Sequence, residues 1–149
     1  MNRLIQITDL HFGENPSAMI ESINPVKSFS AILDEIENSD FRDAPILLSG
    51  DLSGCDNAGS YQMLNKMLFN RKKEIIWLPG NHDDLQEMNT HLTHYPRLLS
   101  LRLNNWSLIT LNSSKAKSAV GFIDHHDLIK LDFESVSYTH LTLPTKQDV

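Results

Sequence analysis

Three short apolar runs each end in a compact polar cluster, and helical patterns stand between them. Leu4-Ile5-Gln6-Ile7-Thr8 leads into Asp9-Leu10-His11, Ile46-Leu47-Leu48-Ser49 into Gly50-Asp51, and Ile75-Ile76-Trp77-Leu78-Pro79 into Gly80-Asn81-His82-Asp83. Runs of this length, rich in branched side chains and bounded by turn residues, suit buried strands. The intervening segments read differently. Asn24-Pro25 has the form of an N-cap followed by proline at the first helical position. Val26, Phe29, Leu33 and Ile36 then recur at spacings of three and four, as do Tyr61, Leu64 and Leu68 within 60–69. Strand, helix, strand, helix, strand calls for parallel strands joined by helical crossovers. In such a sheet the carboxyl ends of neighbouring strands open onto one crevice. All three polar clusters then converge there.

The convergent set is Asp9, His11, Asp51 and Asn81, with His82 and Asp83 beside the asparagine. Hard oxygen and imidazole donors of this kind suit Mn, Fe, Zn or Mg rather than a soft-metal thiolate site. One residue between Asp9 and His11, at a strand-to-loop junction, lets both side chains point into the same crevice. Asp51 is the natural bridging group, since a carboxylate has two oxygens to share. Taken singly, Asp9, Asp51 or Asn81 would read as a cap or turn residue. Their joint occurrence after three strands makes the metal site the stronger reading.

Beyond Arg97 the rhythm changes. Leu99, Leu101 and Leu103 alternate with polar residues, Asn104-Asn105 offers a turn, and 106–111 reads as a strand paired antiparallel to the first. A last helix is expected from Asp124, with Leu128 and Leu131 turned inward. The expected architecture is α/β: the N-terminal half of a layered sandwich, two sheets flanked by helices, the second of them incomplete.

The clusters resemble the opening motifs of the calcineurin-like metallophosphoesterases: D-x-H, then G-D, then G-N-H-D/E. Ile7-Thr8-Asp9-Leu10-His11-Phe12, Leu48-Ser49-Gly50-Asp51-Leu52-Ser53, Tyr61 and Trp77-Leu78-Pro79-Gly80-Asn81-His82-Asp83 resemble the bacterial class III cyclic-nucleotide phosphodiesterases in particular. Either short motif alone is a weak signal; all three in order, each after a strand, are specific. The resemblance implies a four-layer sandwich and a centre of two divalent metal ions. Asp9 and His11 would bind the first ion, Asp51 would bridge, and Asn81 would bind the second through its amide oxygen. Such a pair of ions activates a water for in-line displacement at phosphorus. His82 is implied to stabilise the scissile phosphate or to give a proton to the leaving alkoxide, a task that suits an imidazole. Asp83 is expected to fix the His82 tautomer by accepting a ring N–H. The implied substrate is a small phosphoester, foremost a 3′,5′-cyclic nucleotide such as cyclic AMP. A phosphomonoesterase, a nucleotide-sugar pyrophosphatase or a non-catalytic metal-binding module are the alternatives.

Other residues imitate functional patterns. His91 and His94, three apart, are expected on the surface, and His125-His126 at the start of the last helix. Cys55 is expected as a small buried residue, and Trp77 and Trp106 as core or sheet-face residues. The net charge is -6, with Lys and Arg scattered. A nucleic-acid surface would need a basic patch, so none is expected. A phosphodiester can still bind an acidic site, because bound metals reverse its local field. With Cys55 the only cysteine, no intrachain disulfide can form. The first residues lack a basic region and a long apolar run, and no stretch approaches the roughly 18 apolar residues of a membrane span. A cytoplasmic enzyme without membrane contact is the expectation.

The end of the chain reads separately. Val136-Ser137-Tyr138-Thr139-His140-Leu141-Thr142-Leu143-Pro144-Thr145 resembles one reading frame through a transposase-type sequencing adapter. Residues 1–134 are therefore expected to form a partial phosphoesterase domain, and 135–149 a non-native tail. The later His and the G-H-x-H pair that the resemblance implies are then missing, and His140 is not taken as a substitute. The literal 149-residue chain is expected to be inactive where its full-length parent is an enzyme.

Overall fold

The structure, a computed structural model, describes residues 3–54, 58–69, 71, 74–97 and 100–135. Cys55, Leu99 and the segment from Val136 lie outside the described residues. Strands β1 (Ile5–Thr8), β2 (Ile46–Ser49) and β3 (Ile75–Leu78) form a parallel sheet in the order β1-β2-β3. The register aligns Ile5 with Ile46 and Ile75, and Thr8 with Ser49 and Leu78. The three strands therefore end level, and the three polar clusters leave one edge side by side. That alignment makes the site.

Helix α1 (Pro25–Glu37) connects β1 to β2, and α2 (Ala58–Phe69) connects β2 to β3. Two right-handed crossovers stepping the same way across a sheet put both helices on one face. The core agrees: Phe29, Leu33 and Ile36 of α1 and Tyr61, Leu64 and Leu68 of α2 are buried in one cluster with Ile7, Ile46, Leu48, Ile75 and Trp77. These are the residues that the helical and strand periodicities select. Leu47 and Ile76, the alternate residues of their strands, are buried as well, as expected for a parallel sheet covered on both sides. Each fully buried Leu or Phe in this cluster contributes about 1.5–3 kcal/mol.

The ends of α1 follow its sequence. The Asn24 side chain accepts the Lys27 N–H at 2.8 Å, and Pro25 occupies the first turn. At the far end the Arg71 guanidinium reaches from beyond α2 to Asp34 at 2.8 Å and Glu37 at 2.7 Å, tying the two helices together. Helix α3 (Leu85–His91) begins at Asp84, whose carboxylate accepts the N–H groups of Gln86 and Glu87. Its Met88 and Leu92, the residue that caps it, join the core, and the helix packs against α2.

The second sheet is a hairpin, β4 (Ser100–Leu103) and β5 (Trp106–Ile109), with Leu103 opposite Trp106. Asn104 makes the turn with φ 53°, a conformation asparagine tolerates. Strand β5 stops at Ile109, two residues short of the expected Leu111. Trp77 is a core residue whose indole N–H donates to the Tyr95 carbonyl at 2.8 Å. Trp106 lies on the hairpin and is mostly exposed.

Helix α4 (His125–Ser135) starts where expected, with Asp124 accepting the His126 N–H at 2.8 Å. Its inward face is corrected. Leu128 is exposed and Leu131 only half-buried, and neither joins the described core cluster. No described helix is long and apolar enough to cross a membrane.

Candidate metal centre

Past the sheet edge the chain bends into left-handed conformations: φ is 57° at Asp9, 46° at His11, 76° at Gly50 and 45° at Asp51. Outside glycine this geometry costs about 1–3 kcal/mol per residue and persists only where surrounding contacts enforce it. Here the contacts are a continued ladder. Asp9 N–H donates to the Gly50 carbonyl at 3.1 Å, His11 N–H to Asp51 at 2.8 Å and Phe12 N–H to Leu52 at 3.0 Å. Gly50 N–H in turn donates to the Leu78 carbonyl at 3.0 Å. Phe12 and Leu52 are wholly buried beneath these turns and hold them to the core. The strain falls on the acidic and imidazole residues themselves.

The result brings together one donor atom each from Asp9, His11 and Asp51, all within 4.8 Å of one another. His11 Nε2 stands 4.0 Å from Asp9 Oδ1 and 3.8 Å from Asp51 Oδ2. Two carboxylates directed at one imidazole nitrogen repel each other, and a cation among them removes the repulsion. Ligands bound at about 2.0–2.2 Å need only a small inward movement from these positions. Oxygen and imidazole donors in this arrangement fit a divalent ion such as Mn, Fe, Zn or Mg. Access is graded: the Asp9 side chain is 60% exposed and that of Asp51 only 14%.

Asp51 faces two ways. While Oδ2 looks toward His11, Oδ1 accepts the His82 N–H at 3.0 Å. This contact draws the loop after β3 against the loop after β2. Gly80 permits the approach, since a Cβ there would lie 2.0 Å from Asp51 Oδ1 and 2.2 Å from Asp51 N. The His82 ring is exposed and packs edge-on to His11, with centroids 5.4 Å apart. Asn81 is half-buried in the same turn, and its carbonyl accepts the Lys117 N–H at 2.9 Å. The Thr8 hydroxyl donates to Asp9 Oδ2.

Asp83 is not where the sequence reading put it. Its carboxylate is buried rather than turned to the His82 ring. Oδ1 accepts Ser53 N–H at 2.8 Å and the Tyr61 hydroxyl at 3.0 Å, and Oδ2 accepts Gly80 N–H at 2.8 Å and Leu52 N–H at 3.1 Å. A carboxylate oxygen has room for two such donors, so both are saturated. The competing backbone donors win because each would otherwise be buried unpaired. The Tyr61 hydroxyl also accepts Asp84 N–H at 2.9 Å. Burial first, and the Asp83 charge second, push its phenol far above the ordinary value.

Two contacts go beyond the motifs. Tyr61 belongs to the resemblance, but its place on the apolar face of α2 signals core and not what its hydroxyl holds; a buried tyrosine needs a partner. Nothing in 112–122 signals that Lys117 would reach Asn81. The other described histidines are not part of this cluster. His91 pairs with Glu87 at 3.2 Å, His94 packs on Phe69, and His125 and His126 are exposed in the first turn of α4.

Comparison with known proteins bears on this geometry. A 3′,5′-cyclic-nucleotide phosphodiesterase of Nostoc sp. is 32% identical over 133 residues, covering 88% of this chain and 50% of that protein. A probable cyclic nucleotide phosphodiesterase of Vesicomyosocius okutanii is 31% identical, covering 87% of this chain and 53% of its own length. A 3′,5′-cyclic adenosine monophosphate phosphodiesterase of Haemophilus influenzae is 30% identical, covering 85% and 47%. The chain spans about half the length of these relatives. Residues 2–147 match the calcineurin-like phosphoesterases, and the chain belongs to that family.

Proposed function

We propose that this chain carries the metal-binding and phosphate-facing side of a phosphodiesterase whose substrate is a 3′,5′-cyclic nucleotide. The observation that supports this reading best is the convergence of Asp9, His11 and Asp51 within 4.8 Å at the carboxyl edge of the sheet. Asp9 and His11 would hold one divalent ion and Asn81 a second, with Asp51 shared between them. When bound, such ions supply an activated water and neutralise charge on the phosphoryl oxygens. The protein residues do the rest. Asp51, held through Oδ1 by the His82 N–H, keeps Oδ2 directed at the His11 side. That same bond fixes the backbone of His82, so its exposed ring meets a phosphoester arriving from solvent. An imidazole N–H placed there can hydrogen-bond a phosphoryl oxygen or give its proton to the departing alkoxide. The cyclic-nucleotide assignment draws on the likeness to the Nostoc and Haemophilus phosphodiesterases.

The test is hydrolysis by the full-length gene product, supplied with Mn2+, of cyclic AMP, an aryl phosphodiester and an aryl phosphomonoester. Preference for cyclic AMP is expected; negligible turnover of it beside rapid phosphomonoester cleavage would overturn the substrate assignment. His82→Ala should retain metal and lose about 10²–10⁴-fold in kcat. Unchanged turnover with metal bound would remove His82 from the chemistry.

A further inference from the structure

We infer that Asp83 is a positioning residue, a buried carboxylate that sets the spacing of the two loops bearing Asp51 and Asn81. The inference rests on the metal-centre reading above and concerns how that centre is kept in shape.

The donors to Asp83 come from three separate segments, and their places in the chain are what matter. Leu52 and Ser53 directly follow Asp51, and Gly80 directly precedes Asn81. One oxygen, Oδ2, accepts from both Leu52 N–H and Gly80 N–H. A single atom thus joins the residue after one proposed ligand to the residue before another. The other oxygen, Oδ1, holds Ser53 N–H and the Tyr61 hydroxyl, which adds helix α2 to the joint. Tyr61 passes the connection on by accepting Asp84 N–H at the cap of α3. The Ser53 and Ser60 hydroxyls, 2.8 Å apart, brace the same corner.

A general core role would be served by any group that pairs these donors. Placement of the ligand loops needs more, because donor atoms must come to within a few tenths of an ångström of their places around an ion. Gly80 already sits so close to Asp51 that no Cβ fits, leaving little slack in the spacing. Asparagine at position 83 would keep the size but present an amide NH2 to two N–H donors in place of an accepting oxygen. Those donors would be left unpaired in a buried place, and the loops would separate to rehydrate them. The Asp83 carboxylate acts on the centre without touching a metal or substrate.

The experiment measures Mn2+ affinity, from the electron paramagnetic resonance of free Mn2+, and the visible absorption of the Co2+-loaded protein. Wild type, Asp83→Asn and Tyr61→Phe are compared, with His11→Ala and Asp51→Ala as controls, each well below its own melting temperature. Positioning predicts that Asp83→Asn weakens Mn2+ about 10–100-fold, the usual cost of losing a partner that orients ligands. Its Co2+ bands should shift in position and intensity, and Tyr61→Phe should move both readouts the same way by less. If Asp83→Asn and Tyr61→Phe lower only the melting temperature, with affinity and Co2+ spectrum as in wild type, Asp83 is merely a core residue and the inference fails. If instead His11→Ala and Asp51→Ala bind Mn2+ as wild type does, the metal-centre reading itself fails. Should Asp83→Asn not fold, amide exchange in the wild type decides together with Tyr61→Phe. Added Mn2+ should slow exchange at Leu52, Ser53 and Gly80, and unchanged rates there would overturn the inference.

Discussion

Gly80 shows how tightly single residues are held at this centre. A methyl group there would overlap both the Asp51 carboxylate and its backbone nitrogen, and the latter cannot swing aside. Gly80→Ala is therefore expected to push the loop after β3 away from Asp51, break the His82 N–H bond to Oδ1 and weaken Mn2+ binding at least tenfold. Metal titration followed by circular dichroism checks this, and wild-type affinity in a folded Gly80→Ala protein would count against it. Tyr61 gives a prediction of another kind. Below pH 10 its phenol is neutral in both folded and unfolded chains, so it adds no pH dependence. Above the ordinary value of 10.0 the unfolded phenol ionises, whereas the folded one, raised by burial and by Asp83, keeps its proton. Stability should fall as pH rises past 10, by about 1.4 kcal/mol per unit from this group. Tyr95, raised by burial, acts in the same sense, so the comparison is a difference. Urea unfolding at pH 9, 10 and 11 should show a shallower decline for Tyr61→Phe, though from a lower starting stability. At this scale the sequence exposes the residues its motifs single out, such as Asp9, His11 and Asp51, which the fold brings within 4.8 Å of one another. Asp83 looks the same on the page as a second carboxylate beside a histidine. Only the fold reveals that four donors claim it first.

Elements were legible wherever a local rule decides them. Asn24 and Pro25 start α1 because capping and a fixed proline φ are local matters, and the cap bond to Lys27 N–H is there at 2.8 Å. Asn24→Ala should cost about 1 kcal/mol, read as a lower urea midpoint with an unchanged slope; Asn24→Ser should restore most of it. The strand ends were legible for a related reason: an apolar run that stops at Asp, Gly-Asp or Pro-Gly can hardly continue in a sheet. The faces of α4 were not. Leu128 and Leu131 carry a helical spacing, but spacing says only that one side is apolar and not that anything covers it. The 112–122 segment was silent for a further reason. Lys117 meets Asn81 through its backbone N–H, at φ 59°, so neither side chain advertises the contact.

Across the whole molecule, the strain at Asp9, His11 and Asp51 and the opposed carboxylates are costs borne by the folded state alone. The unfolded chain has neither, since its carboxylates are solvated and its backbone relaxed. An ion bound by these residues offsets the charge repulsion in the folded state and does little for the unfolded one. Binding should thus appear as stability through mass action, about 2.7 kcal/mol at a metal concentration one hundred times Kd. For a chain of this size each kcal/mol moves the melting temperature by roughly 2–8 °C, so Mn2+ should raise it by several degrees and a chelator should reverse the gain. The shift should grow with the logarithm of metal concentration above Kd, whereas nonspecific screening would level off and follow ionic strength. Asp51→Ala separates the sources of the effect. It removes the carboxylate that faces both His11 and the His82 loop, relieving the repulsion and destroying the site together. The metal-free variant should melt no more than slightly below the metal-free wild type and gain nothing from Mn2+. A variant that still gained the full shift would mean that the stabilising ion binds elsewhere on this acidic chain. The strained sheet edge would then need another explanation.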